Sequence, residues 1–353
     1  MHPMATVASS GDVGTLTIVP LVALALMVGE YLLGRYRHQQ THDIGETVAS
    51  LVIAIGHRIT AAATAAVATV PATWIYRHRL FDIPLDEAWS LVALFVGTEF
   101  CYYWQHVAMH KVKWFWASHA VHHSATRLNL SAAIRLGWGS SFTGGFLFFL
   151  PLIWIGFSPV AVFVTVGVGL LYQFFLHLAR APRLGWLEWI LNTPAHHHVH
   201  HAANATCLDR NFGSVLIVFD RLFGTFAGAP PDEPLRFGIK GTVGPTRGPM
   251  RVVLAGWLAM ARELRAAADW RMRWTALFGR PGQVTAILLI AALAPGRASA
   301  DDIDWKIQVD GREQSYTVQY CCDLLDGRSA VANGGQCDSR STSATAVNIP
   351  SQW

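Results

Sequence analysis

The chain has 353 residues, of which 52% are hydrophobic and only 14% are charged, and its mean hydropathy is +0.31. This composition is too apolar for an ordinary soluble enzyme and predicts an integral membrane protein. The formal net charge is only +4, without the run of lysine and arginine that follows a phosphate backbone, so we expect no nucleic-acid partner.

Residues 1–84 are predicted to hold the N-terminal transmembrane helices. The first apolar stretch, 16–34, has about 19 residues, enough to cross the hydrocarbon core of a bilayer. Arg35 and Arg37 follow it and place that end of the helix in the cytoplasm by the positive-inside rule. A second crossing is predicted at 59–76; the alternative is that 47–76 forms a re-entrant pair.

Three more apolar stretches follow, at 89–104, 138–157 and 159–176. The last two are joined by a turn at 156–159, marked by glycine and proline, and are predicted to form a helical hairpin. The hairpin returns the chain to the cytoplasmic side at His177. Residues 178–250 contain no convincing span. The predicted fold class is therefore all-α, an integral membrane bundle of four or five transmembrane helices with a cytoplasmic histidine-rich cap.

Histidines recur in clusters with helical spacing. The clusters are His106 and His110, then His119, His122 and His123, and finally His197, His200 and His201. Residues three and four apart share one face of a helix, so each cluster presents several imidazoles together. Eight such ligands exceed what one tetrahedral zinc ion uses, and two metal ions fit the count better. Imidazole suits iron, zinc and copper alike, which leaves the metal open.

Two neighbouring histidines are predicted not to be ligands. His196 and His198 are each rotated by about 100° from the next residue on a helix, and so they point away from the face shared by His197, His200 and His201.

Rival metal sites lack their required residues. A zinc metalloprotease needs H-E-x-x-H, whereas the segment from His106 to His110 has no glutamate. A haem protein places single axial histidines on facing helices rather than triplets. A non-enzymatic membrane metal-binding or transport protein stays open as the alternative, although transporters place ligands near the bilayer midplane and these histidines cluster at one boundary.

Several blocks beyond the histidines carry a family resemblance. They are His119-Ala-Val-His122-His123-Ser124, Asn192-Thr193-Pro194 before His197, Asn211-Phe212-Gly213, and Phe219-Asp220-Arg221-Leu222-Phe223-Gly224-Thr225. In this order they resemble the fatty acid hydroxylase and sterol desaturase superfamily of integral-membrane di-iron oxygenases. The resemblance covers residues 85–230 well, which we take as the catalytic domain, and reaches about 282 weakly.

The resemblance implies a cofactor, a substrate class and a ninth ligand. Two iron ions, for which zinc is a substitute, would use O2 to hydroxylate or desaturate a lipid of the fatty acyl, sterol or alkylglycerol type. His177 stands where the family often has an additional histidine. The block Phe237-Gly238-Ile239 favours the sterol desaturase and alkylglycerol monooxygenase branch. The chain has no haem-binding His-Pro-Gly-Gly motif and no C-x-x-C pair, which implies a separate electron donor such as cytochrome b5, ferredoxin or another reductant.

Four polar residues follow the last histidine cluster and are candidates to orient ligand imidazoles. They are Asp209, Asn211, Asp220 and Arg221. Around a metal, such residues commonly make the hydrogen bond to the second ring nitrogen of a ligating histidine. The alternative is ordinary turn and ion-pair duty.

The C-terminal third changes character twice. Residues 231–282 are predicted to be an amphipathic membrane-surface extension. Residues 283–353 resemble a secretory signal followed by a tail: arginines precede an apolar run at 284–294 and a small-residue site at 298–300. The tail has β-prone alternation at 305–309 and 316–320. It would lie outside the cytoplasm, where Cys337 could pair with Cys321 or Cys322; a cytoplasmic extension or a fused segment is the alternative.

Overall fold

The structure, a computed structural model, describes residues 10–240 and 244–282, together with the backbone of four short strands between residues 303 and 331. The chain divides into two compact units. One comprises Met1–Gln283 with Ser351–Trp353, and the other comprises Val284–Pro350.

The first unit is built from helices, as predicted. In chain order they are α1 (Ser10–Tyr36), α2 (Ile44–Ala63), α3 (Ala65–Arg77), α4 (Ala88–Lys111), α5 (Lys113–His123), α6 (Leu130–Ala133), α7 (Leu150–Ile155), α8 (Pro159–Leu176), α9 (Pro194–His201), α10 (Val218–Phe223), α11 (Pro249–Ala266) and α12 (Trp270–Phe278). Two 3-10 helices lie at Gly145–Phe149 and Gly185–Trp189.

Among the described residues, two helices are long and apolar enough to cross a membrane, namely Ile18–Tyr36 within α1 and Pro159–Leu176, which is α8. A third is added if α2 and α3, which meet at a bend of 44°, count as one broken span. The prediction of four or five transmembrane helices is therefore matched only in part. The straight crossing expected at 59–76 is interrupted at Thr64, whose hydroxyl bonds the carbonyl of Thr60 at 2.6 Å, a contact that bends helices.

The predicted hairpin is asymmetric. Its first arm is not a helix over 138–157, because residues 138–144 form turns and the apolar helical stretch is only Gly145–Ile155. The glycines at 137, 139, 144 and 145 disfavour an earlier start. The turn falls where predicted: Gly156 has φ 147°, and Ser158 accepts a hydrogen bond from the amide of Ala161 at 3.2 Å at the start of α8.

Two packed clusters support the histidine-bearing helices. Leu94 of α4, Ile153 of α7 and Val162 of α8 belong to one core cluster, with Ile153 and Val162 fully buried. Val121 of α5 packs with Ile53 of α2 and Val253 of α11 in a second. Burial of such side chains contributes about 1.5–3 kcal/mol each. One cluster thus packs on α4 and the other on α5, and α4 passes directly into α5 at Val112.

The second unit contains two two-stranded antiparallel sheets among its described residues. Strand β1 (Ile303–Val309) pairs with β2 (Arg312–Val318), and β3 (Tyr320–Cys321) pairs with β4 (Ala330–Val331). The apolar run at 284–294 and the proposed partner Cys337 lie outside the described residues, so the signal-like layout and the disulfide stay predictions.

Candidate metal centre

Four segments deliver nine histidines to one region. The last turns of α4 carry His106 and His110, and α5 carries its three histidines towards its C-terminal end. His177 directly follows α8. The short helix α9 starts with Pro194 in its first turn, where the absent proline N–H costs nothing, and carries the last three ligand candidates.

The nine candidates fall into two groups. The five-histidine group consists of His106, His110, His119, His123 and His200; the four-histidine group consists of His122, His177, His197 and His201. Within each group the candidate ligand atoms lie within 4.8 Å of one another. The two groups share α5 and α9, because successive helix positions differ by about 100° and so His122 and His123 point into different groups. One sequence cluster therefore does not correspond to one metal.

The four-histidine group brings bare ring nitrogens together. The Nε2 atom of His177 lies 3.2 Å from Nε2 of His122 and 3.1 Å from Nε2 of His197. The Nδ1 atom of His177 is 2.8 Å from the carbonyl oxygen of Gln173, so it carries the ring proton and leaves Nε2 with a lone pair. Each neutral ring has one N–H, so hydrogen bonds cannot satisfy every one of these contacts between Nε2 atoms. A cation placed among the nitrogens would be bound by their lone pairs and would remove the repulsion between them.

The five-histidine group is oriented in the same way by main-chain carbonyls. Nδ1 of His106 donates to the carbonyl of Phe212, and Nδ1 of His200 donates to that of Arg210, both at 2.8 Å. Such bonds fix the tautomer of a ligating histidine and point its Nε2 at the metal. Nε2 of His106 accordingly lies 3.1 Å from Nε2 of His119.

Buried nitrogens without partners test whether a metal fits. The Nε2 atoms of His110, His123 and His200 are inaccessible to solvent and have no hydrogen-bond partner among the described residues. A buried polar atom left unsatisfied costs about 1–3 kcal/mol, and three in one group is unusual. A metal ion bound by these lone pairs removes that cost, and neutral imidazoles are good ligands for iron.

The protonation state of the rings suits metal binding. Burial is the main cause that lowers the pKa of all nine imidazoles, to about 4 for His177. Proximity of the rings to each other lowers the pKa further for most of them, including His119 and His201. The rings are therefore neutral at neutral pH, the form that binds metal.

The loop after α9 supports the five-histidine group. Asp209 and Asn211 have positive φ values of 58° and 57°, a conformation that aspartate and asparagine tolerate better than most residues. Asp209 forms an ion pair with Lys111 and lies 3.6 Å from Nδ1 of His110. Although burial acts in the opposite direction, hydrogen bonds from His110 and Lys111 lower the pKa of Asp209.

Asn211 and Asp220 act on the ligands through the main chain. The side-chain Nδ2 of Asn211 donates to the carbonyls of His196 and Ala227, at 3.0 and 2.8 Å. The carboxylate of Asp220 accepts from the amides of Phe212 and Gly213, both at 2.7 Å, and from the Thr225 hydroxyl at 2.6 Å. Because the Phe212 carbonyl in turn holds His106, Asp220 fixes the acceptor that orients a ligand ring.

Arg221 has other partners. Its guanidinium lies over the rings of Phe226, at 3.8 Å, and Trp189, at 4.6 Å, and donates to the carbonyl of Glu188 at 3.1 Å. These contacts hold the segment before α9 rather than a ligand imidazole.

His196 and His198 lie outside both groups. Nε2 of His198 is 2.8 Å from the carbonyl oxygen of Leu178. The ring of His196 packs edge-on against Phe226, with 5.2 Å between centroids. The structure thus places both where the helical rotation predicts.

The sequence reasoning missed two buried acids that hold the site together. Glu99 in α4 accepts hydrogen bonds from the amides of Val215 and Leu216, at 2.8 and 2.7 Å. Glu46 in α2 accepts from the amides of Thr126, at 3.2 Å, and Thr246, at 2.8 Å. A lone acid within an apolar helix is a signal for such a role, but its partners lie too far along the chain to be read from the sequence.

These observations define a class: an integral membrane protein with helices that carry two groups of buried, neutral histidines arranged to hold metal. The comparison with protein families agrees, because the fatty acid hydroxylase family matches residues 91–225. The resemblance to the fatty acid hydroxylase and sterol desaturase superfamily, drawn from the histidine blocks, is confirmed for this part of the chain.

Similar proteins are lipid-modifying enzymes. Alkylglycerol monooxygenase from Homo sapiens is 35% identical over 212 residues, covering 58% of this chain and 45% of the relative. The Danio rerio alkylglycerol monooxygenase is 39% identical over 178 residues, covering 48% of this chain and 37% of the relative. Ornithine lipid hydroxylase OlsE from Rhizobium tropici is 32% identical over 185 residues, covering 50% and 54%. The chain thus spans about half the length of these relatives or less. No solved structure matches it.

Proposed function

We propose that this chain is a membrane-bound oxygenase that binds two iron ions and uses O2 to hydroxylate or desaturate a lipid. The observation that carries the proposal is the convergence of nine neutral histidines into two groups, with ligand atoms within 4.8 Å of each other in each group. The five-histidine group would hold one iron and the four-histidine group the other.

Iron bound at the two groups supplies the activation of O2 needed to oxidise an unactivated C–H bond, a chemistry that belongs to the metal. The chain's own contribution is to orient and to shield. Main-chain carbonyls of Phe212, Arg210 and Gln173 fix the rings of His106, His200 and His177. All nine ligand candidates are buried except His119, which is half-buried, so the four-histidine group is shielded from bulk water and the five-histidine group is shielded except at His119.

A lipid substrate is supported by the relatives and by the surface of α4. The relatives are named for alkylglycerol and ornithine lipid oxidation, and an alkylglycerol-like, sterol or fatty acyl substrate is proposed here. On α4 the apolar side chains of Val92, Phe100 and Trp104 are exposed, which suits a helix that lies against lipid.

The topology and the reductant complete the proposal. The helix α4 and the short apolar stretch Gly145–Ile155 would join the candidate spans in a bundle of four or five crossings, with the histidines on the cytoplasmic side next to Arg35 and Arg37. A separate one-electron carrier, such as cytochrome b5 or a ferredoxin, would supply reducing equivalents. Zinc could replace iron in a purified sample because imidazole binds both.

Substitution of one histidine from each group tests the assignment. We expect wild-type protein to contain two irons per chain, and His200→Ala and His122→Ala each to lose bound iron and O2-dependent lipid oxidation. His198→Gln is the matched control, because its ring bonds the Leu178 carbonyl outside both groups. Metal analysis of the purified protein measures iron. In lipids of expressing cells, 18O incorporation from labelled O2 reports hydroxylation and new double bonds report desaturation.

Two outcomes would contradict the proposal in different ways. Unchanged iron content in both alanine variants would remove the two-metal assignment. Normal iron content with neither 18O incorporation nor new double bonds in any lipid would instead favour the non-enzymatic alternative of metal binding or transport.

A further inference from the structure

The segment formed by α11 and α12 carries an unusual excess of positive charge. Residues 249–282 hold six arginines and two acids, Glu263 and Asp269, so these 34 residues have the same net charge as the entire chain. Both acids are already engaged: Glu263 forms an ion pair with Lys113, and Asp269 accepts from the amide of Met272 at 2.8 Å. The excess of arginine is therefore not neutralised within the segment.

Five of these arginines are exposed and uncompensated. They are Arg251, Arg262, Arg265, Arg271 and Arg273. None of the five forms an ion pair with an acidic side chain among residues 10–240 and 244–282. Arginines that stabilised the fold would face carboxylates, so this arrangement fits an external anionic partner.

The same two helices expose large apolar side chains at helical spacing. On α12 the exposed large apolar residues are Trp270, Trp274 and Phe278, which are four residues apart and lie on one face. The rings of Trp274 and Phe278 are in contact, with centroids 4.5 Å apart. On α11, Met250, Leu254 and Leu258 repeat the pattern. The opposite faces are buried in the protein through Met272, Ala276, Val253 and Met260.

Aromatic residues beside arginines are typical of the interface between lipid headgroups and acyl chains. A soluble acidic protein would complement the arginines but would leave two tryptophans at its edge without an apolar environment. A bilayer that contains anionic lipids satisfies both features at once, since the rings enter the headgroup layer and the guanidinium groups bind phosphates.

We propose that the exposed face of α11 and α12 binds the surface of an anionic membrane and thereby fixes the histidine-bearing helix α5 at that surface. The connection to α5 is direct. The amide of Lys113, at the start of α5, donates to the carbonyl of Gly279 at 3.0 Å, and the buried Lys113 side chain pairs with Glu263 of α11. On α11, Gly256 packs against the main chain of Ala117 in α5.

The first test measures lipid affinity of the full chain. Native mass spectrometry of the detergent-solubilised protein is used to titrate phosphatidylglycerol and phosphatidylcholine. We expect phosphatidylglycerol to bind more tightly, and Arg271→Gln with Arg273→Gln to weaken it by about fivefold per arginine, the equivalent of about 1 kcal/mol each. Arg236→Gln, an exposed arginine that pairs with Glu233, is the matched control and should bind like wild type.

The second test locates the aromatic face. In nanodiscs made with lipids brominated near the headgroup, Trp270→Phe with Trp274→Phe should lower the quenched part of the tryptophan emission. Trp257→Phe should lower it less, because Trp257 is half-buried and packs against the rings of Trp114 and Phe142. Equal affinity of wild type for both lipids, or unchanged quenching in the double variant, would overturn the proposal. Neither readout depends on iron or on lipid oxidation, so these results are independent of the proposed activity.

Discussion

At the scale of single residues, Asp220 supports the site through the main chain without being a ligand candidate. It is fully buried, and burial raises the pKa of its carboxyl group although hydrogen bonds, including those from Thr225, Phe212 and Gly213, oppose that shift. Its two oxygens hold the amides of Phe212 and Gly213. These bonds fix the loop that supplies the carbonyl to His106, so a defect at Asp220 is transmitted to a candidate metal ligand.

Replacement of Asp220 by asparagine tests this link. The side chain keeps its size, but an NH2 group replaces one acceptor oxygen and faces an amide that also donates. We expect the free energy of unfolding to fall by about 2 kcal/mol, the usual effect of losing a hydrogen bond to a charged group, and iron content to fall as well. Denaturant unfolding and metal analysis measure the two effects. Asp232→Asn on the exposed loop is the control, and a stable, fully loaded D220N protein would contradict the assigned role.

The ligand candidates could be predicted from the sequence because helical spacing is a local property. The i, i+3 and i+4 pattern of His119, His122 and His123 follows from the helix alone, and so does the exclusion of His198. The partition into a five- and a four-histidine group could not be predicted, since it depends on how α5 and α9 face each other. Glu46 shows the same limit: its partner Thr246 lies 200 residues away.

At the scale of elements, the close contact between α5 and α11 is the packing on which the histidine helix depends most visibly. A Cβ atom built on Gly256 would lie 2.7 Å from the Cα atom and 2.8 Å from the oxygen of Ala117. These are backbone atoms of a helix and cannot move aside separately. Any side chain at position 256 therefore pushes α11 away from α5.

Gly256→Ala should therefore destabilise the protein, whereas Gly167→Ala should not. Overpacking typically costs about 1–3 kcal/mol. At Gly167 in α8 an added Cβ meets nothing within 4 Å, so alanine there is expected to be neutral or stabilising by up to about 1 kcal/mol through helix propensity. Thermal unfolding of both variants in the same detergent is the measurement. If the two variants unfold at the same temperature, the contact between α5 and α11 is not the constraint described here.

The hydropathy pattern predicted where helices form more accurately than it predicted where each helix begins and ends. The apolar stretches did become helices, and the turn at Gly156 lies where glycine and proline placed it. The first arm of the hairpin is shorter than its apolar stretch because glycines and serines at 137–145 favour turns. The bend at Thr64 depends on side-chain hydrogen bonds to the preceding helical turn, which an average over apolar residues does not detect.

At the scale of the whole molecule, the first unit is closed by its last helices. Thr246 joins Glu46 of α2, and its hydroxyl donates to the carbonyl of Ser124 after α5 at 2.7 Å. Gly279 accepts from the start of α5 at 3.0 Å. The segment 244–282 is therefore a structural part of the histidine unit, although the resemblance to the superfamily weakens beyond residue 230.

Truncation at two positions separates this unit from the tail. We expect the chain ending at Gly282 to keep its iron, its thermal stability and its lipid oxidation, because residues 301–353 contain no histidine and Val284–Pro350 form a separate compact unit. The chain ending at Gly248 should lose all three properties, since it lacks α11 and α12, which pack on α5.

A reporter fused to Trp353 of the full chain tests where the tail lies. It should report the periplasmic or extracellular side if the apolar run at 284–294 crosses the bilayer. Loss of oxidation in the longer truncation would show that the tail belongs to the enzyme, and a cytoplasmic reporter signal would show that the apolar run does not cross.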